Sequence, residues 1–167
     1  MLNAESLPMT HSEIVSFIWG VADLIRDTFK RGKYQDIILP LTVLRRLDCV
    51  LAPTKKKVLE TNAKFKGKLD KPDAQLRKAS GFAFYNTSRY DFDSLLDDHT
   101  HLKANLRNYI RGFSENMQEV LERFDFDNTI AKLDEAGKLG ALFAAPKGLS
   151  DEALAAAETE EGWILGA

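Results

Sequence analysis

Cysteine is nearly absent. Cys49 stands alone, so no internal disulfide braces the chain and nothing in the composition suggests secretion. The five prolines, at 8, 40, 53, 72 and 146, never adjoin. The ten glycines form neither a G-x-G-x-x-G nor a P-loop pattern, so the sequence offers no nucleotide cradle. No apolar run approaches about 18 residues, so no bilayer span is expected. The opening "MLNAESLPMTHSE" lacks a basic start followed by an apolar run, which excludes a signal peptide. A cytoplasmic protein is the expectation. Histidines are scarce, and His99 and His101 flank Thr100 after two aspartates. Two residues apart on a helix they point to different faces, so a solvated polar turn is favoured over a metal site. No Ser-His-Asp or Cys-His set stands out, and catalysis by these residues is not expected.

What is present suits a folded domain. Hydrophobic residues make up 44% and charged residues 29% of the 167, enough for a sizeable core and too apolar for wholesale disorder. The net charge of −2 is unevenly placed. Residues 1–80 carry 15 Lys/Arg against 9 Asp/Glu, and residues 81–167 carry 8 against 16. That asymmetry fits either a basic face for a polyanionic or acidic partner, or two solvated faces.

The apolar spacing predicts an all-α fold: a compact helical bundle with an irregular aromatic crossing segment and a weakly ordered tail. A first helix is expected over 10–30, with Thr10 and Glu13 as a capping box and Ile14, Ile18, Val21, Ile25 and Phe29 in phase. "KRGKY" should stop it. "YQDIILPLTVLRRLDCVL" is too short for a membrane and carries Pro40, which disfavours a strand. Ile37, Leu41, Leu44, Leu47 and Leu51 share one face, so a helix buried on most sides is expected. Its polar strip is narrow: Gln35, Thr42 and Arg46. Pro40 is tolerable if the helix starts just before it and otherwise kinks it. In 54–79, Val58, Leu59 and Phe65 anchor a short helix and Pro72 begins another. "SGFAFYNTSRYDFDSLL" is aromatic and turn-rich, with Asp91 or Asp93 capping a helix through Leu96. Leu102 to Phe124 keeps helical phase, split near Gly112 and Ser114. "DFDNTIAKLDEAG" reads as one more helix, capped near Asp127 and stopped at Gly137. Residues 1–142 form the helical domain, and 143–167 an acidic, alanine-rich tail.

The basic residues are the candidate site. Lys30, Arg31 and Lys33 follow the first helix, Arg46 lies on the polar strip of the second, and Lys55, Lys56 and Lys57 open a segment with 9 basic and 3 acidic residues. Cations at helix ends and loops suit phosphate contacts, although surface lysines for solubility are commoner singly. Asp48 falls within the apolar arc, where a lone carboxylate is costly. Arg45, three residues earlier, is its expected partner in a structural ion pair.

Three passages together resemble one family. "IWGVADLIRDTFKRGKYQDIILPLTVLRRLDCVL", "GFAFYNTSRYDFDSLL" and "FSENMQEVLERFDFDNTIAKLDEAGKL" are similar to the N-terminal helical domain of the modification (HsdM-type) subunit of type I restriction–modification systems. The likeness covers about residues 12–142, and the run Ile38 to Asp48 is its most specific part. It implies a subunit that transfers a methyl group from S-adenosylmethionine to adenine N6 in double-stranded DNA. It implies partners too: a specificity subunit, a second modification subunit and, in some assemblies, a restriction subunit, with no membrane. The helical domain would help close the assembly around DNA. The N-P-P-[FY] loop and glycine-rich cofactor loop of the catalytic domain are missing, so no cofactor is expected in this chain and a fragment or truncated subunit is expected. The other class of reading is a free-standing helical protein-interaction module with no DNA role.

Overall fold

The computed structural model describes residues 3–68 and 72–148, with side chains from Ser12 onward except those of Arg31, Gln35 and Lys147. Every regular element among them is helical: α1 (Asn3–Ile25), α2 (Tyr34–Leu51), α3 (Lys55–Phe65), α4 (Asp73–Ser80), α5 (Phe92–Asp97), α6 (Leu102–Arg111), α7 (Glu115–Glu122), α8 (Phe126–Glu135) and α9 (Leu139–Ala144). Short 3-10 turns occupy Arg31–Lys33, Ala52–Thr54 and Ala145–Gly148. The all-α expectation therefore holds. The chain divides into two compact units, one of residues up to Arg46 together with those from Asn128 on, the other Leu47–Asp127.

In the first unit, α1 buries Ile14, Phe17, Val21 and Ile25. Their spacing of three and four residues puts them on one stripe, and each fully buried aliphatic contributes about 1.5–3 kcal/mol. The helix starts earlier and ends sooner than expected. Thr10 lies inside it rather than at its cap, and it closes at Ile25. Asp27, Thr28 and Phe29 are poor helix formers, and the Thr28 and Phe29 N–H groups both donate to the Ile25 carbonyl. Phe29 lies beyond the helix, half-buried, with the Lys132 ammonium 4.7 Å above its ring. Beside α1 pack α9 and the Ala145–Gly148 turn. Leu139, Leu142 and Phe143 of α9 are buried. Order thus continues past residue 142 to 148. The rest of the expected tail of 143–167, from 149 on, lies outside the described residues.

Helix α2 has Pro40 at its seventh position, where no N–H is available for the Asp36 carbonyl. Ile37, Leu41, Leu44, Leu47 and Leu51 are all buried, as their phase requires. Thr42 differs from the expected solvated strip. It is buried, and its hydroxyl is satisfied by the Ile38 carbonyl at 2.8 Å.

In the second unit, α3 packs on α4 through Val58, Leu76 and Ala79, with Tyr85 laid against them. Gly81 (φ +81°) ends α4 in the left-handed conformation that glycine adopts without strain. Asp91 caps α5 through a capping box with Ser94. Tyr109 of α6 meets Phe92 and Phe113 edge-on, at 6.3 and 5.2 Å between ring centroids. The break between α6 and α7 falls at Gly112 and Ser114, as the sequence predicts.

Candidate nucleic-acid interface

The seven candidate cations divide between the two units. Lys30, Arg31, Lys33 and Arg46 belong to the first, and Lys55, Lys56 and Lys57 to the second. Lys30 is exposed, Arg46 is half-buried, and the Arg31 side chain lies outside the described residues. Lys33 is exposed with its ammonium 3.7 Å from Asp36, a loose surface pair that contributes little. Lys56 and Lys57 are exposed in the first turn of α3, which contains no acidic residue. No carboxylate pairs with either among the described residues. Their charges add to the positive end of the helix dipole, an arrangement that disfavours cations locally and favours a bound anion.

Lys55 is different. It turns inward, and its Nζ donates to Asn86 Oδ1 at 3.2 Å and lies 5.7 Å from the centre of the Tyr109 ring. Burial lowers its pKa from an ordinary 10.5 to about 8, and the charges of Asp48 and Asp91 offset part of that drop. Between those values the unfolded chain holds a proton that the folded chain has released, so stability rises with pH across this window. Parent and Lys55→Met should therefore differ in pH dependence: the parent gains stability relative to the variant from about pH 8 to about pH 10.5. Urea midpoints at matched pH measure it, and a constant difference would contradict an inward Lys55.

Asp48 accepts from the Phe92 N–H and from the Tyr109 hydroxyl, each at 3.3 Å. It is thus tied to α5 and α6, contacts that helical spacing cannot reveal. Arg45, its expected partner, is half-buried on α2. His101 Nδ1 lies 3.1 Å from Asp98 at the turn before α6. No cluster of three or more potential metal ligands occurs among the described residues.

The aromatic segment is joined to α6 and α7 by a polar network that the spacing arguments missed. Asn86 is buried. Its amide donates to the Tyr109 carbonyl at 2.9 Å, and its Oδ1 accepts from Ser88 N–H at 2.7 Å as well as from Lys55. Thr87 N–H donates to the Gly112 carbonyl at 2.8 Å, and Ser114 N–H to the Tyr85 carbonyl at 2.9 Å. The strands of chain come so close that a Cβ on Gly112 would meet Asn86 Oδ1 at 2.6 Å and Ser88 N at 2.7 Å. Tyr85 donates from its hydroxyl to Asp73 Oδ1 at 2.7 Å, and burial and that bond together push its pKa up to about 12. The only signal in the sequence was the polar triplet "NTS" between aromatic neighbours.

A family model described as the HsdM N-terminal domain matches residues 14–145. The chain belongs to that family. No curated protein and no solved structure matches it. The HsdM N-terminal domain is part of a modification subunit of type I restriction–modification systems. Its matched stretch begins within α1 and runs through α9, so it includes the whole second unit with its Asn86 network and part of the first. No helix of the HsdM N-terminal domain, among the described residues, is long and apolar enough to cross a membrane.

Proposed function

We propose that this domain clamps double-stranded DNA and helps assemble the type I modification enzyme around it, without transferring the methyl group itself. In this reading the full-length subunit methylates adenine N6 with S-adenosylmethionine. It works beside a specificity subunit and a second modification subunit, and a restriction subunit can join. The observation that carries the reading is the exposed pair Lys56 and Lys57 on the positive end of α3, in a first turn that contains no aspartate or glutamate. Lys30 and Arg46 add charge on the first unit. With no groove-reading element proposed, binding should be weak and indifferent to sequence.

The test is fluorescence anisotropy of a labelled duplex titrated with the 167-residue chain at several salt concentrations. If four or five phosphates are neutralised, log affinity against log salt falls with a slope of about −4. Absence of binding at low salt would refute DNA clamping by this chain. The same chain should show no saturable heat with S-adenosylmethionine in calorimetry, because it has neither the glycine-rich nor the Pro-Pro motif. Saturable binding would overturn the non-catalytic reading.

A second reading, a protein-interaction module with no DNA role, draws on α1. Val15, Ile18, Trp19 and Ala22 repeat at helical spacing beside the buried stripe, and Trp19 is 63% exposed. Salt-sensitive DNA binding separates the two readings.

A further inference from the structure

Arg89 is an exposed cation on a backbone held from both sides. Before it, Ser88 N–H donates to the buried Asn86 Oδ1 at 2.7 Å. After it, Tyr90 N–H donates to Ser88 Oγ at 3.2 Å, and that hydroxyl in turn bonds Asn108 Oδ1 at 2.7 Å. The Asp91 capping box then fixes the entry to α5. The side chain is held as well. Its guanidinium donates to the Tyr90 hydroxyl at 2.6 Å and sits 4.8 Å from the centre of that ring. Arg26, Arg77 and Arg107 each lie beside an aspartate. Arg89 meets no carboxylate at ion-pair distance among the described residues.

An arginine free on a surface gives up up to about 2 kcal/mol of rotamer entropy when it binds. Here part of that freedom is already lost in the folded domain, because Tyr90 orients the fork. The partner is a hydroxyl rather than a carboxylate, so the guanidinium is ordered without an ion pair. One N–H is used by Tyr90, and the remaining donors match a phosphate oxygen pair. We propose that Arg89, positioned by Tyr90, is a contact to the DNA phosphate backbone. The proposal rests on the DNA-clamping reading and adds a residue to it outside the lysine-rich segment.

The experiment uses the full chain with two labelled duplexes of unrelated sequence, each titrated over a salt series. Arg89→Ala should raise Kd about tenfold on both duplexes, the loss expected for one charge-assisted contact. It should also flatten the salt slope by about one. Arg89→Lys should keep the slope yet bind more weakly, since an ammonium has no fork. Tyr90→Phe should raise Kd about threefold with the slope unchanged, the sign of a positioning residue that carries no charge. A steep parent slope with Arg89→Ala indistinguishable from parent would overturn the Arg89 assignment and leave the clamp standing. An effect on one duplex alone would make Arg89 a base contact and overturn the backbone assignment. A parent that binds neither duplex would overturn both the assignment and the clamp.

Discussion

Asn86→Ala is expected to destabilise the unit Leu47–Asp127 by about 3 kcal/mol or more. Alanine cannot replace any of three bonds: to the Tyr109 carbonyl, from Ser88 N–H and from Lys55. Asn86 and Ser88 are both buried, so water does not readily take over. Each polar group left unpaired there costs about 1–3 kcal/mol. Lys55 would also lose one of the groups that make its inward position tolerable. Urea denaturation followed by Tyr fluorescence or circular dichroism reads the loss as a lower midpoint. An unchanged midpoint would mean that the network contributes little to the fold.

The second large effect is expected at Gly112. Its φ is ordinary, so the requirement for glycine is one of space rather than backbone conformation. A methyl group would stand 2.6–2.7 Å from Asn86 Oδ1, Ser88 Cβ and Ser88 N. The last two cannot swing aside without moving backbone. Gly112→Ala should therefore separate the aromatic segment from α6 and cost about 2–3 kcal/mol. For a unit of this size that lowers Tm by roughly 10–20 °C. Gly32 is the natural control, because nothing lies within 4 Å of a Cβ built there. Gly32→Ala should leave Tm almost unchanged, and equal losses at both positions would contradict the close approach at Gly112.

Much of the helical content was legible because long apolar stripes carry their own period. Ile37 to Leu51 kept phase and lies within α2, and Leu102 to Leu121 kept phase across α6 and α7, with Leu102, Leu106, Tyr109, Phe113 and Leu121 buried and Val120 exposed. Turn chemistry was readable at Gly112 and, as one of two candidates with Asp93, at Asp91, where chain reversal and capping are local events. The short helix α9 was missed because six residues span too few turns to show a period. The start of α1 was missed because a good capping pattern at Thr10 competes with a helix that runs through it. Non-local polar contacts were out of reach. Asp48 meets groups 44 and 61 residues away, and nothing in helical spacing encodes that. The lysine run shows the same limit. Three identical neighbours, Lys55 to Lys57, look equivalent in sequence. Helical geometry sends the first towards Asn86 and leaves the next two in solvent.

That difference gives the most direct test of DNA clamping. Salt-dependent binding of a labelled duplex is to be compared for the parent chain, Lys56→Ala/Lys57→Ala and Lys55→Ala. Each exposed lysine that neutralises a phosphate contributes about one to the slope of log affinity against log salt. The double variant should therefore flatten the slope by about two. Lys55→Ala should lower stability yet leave the slope as in the parent, because its ammonium is engaged within the fold. The opposite pattern, a slope unchanged in the double variant or flattened by Lys55→Ala alone, would contradict an interface built on the exposed start of α3.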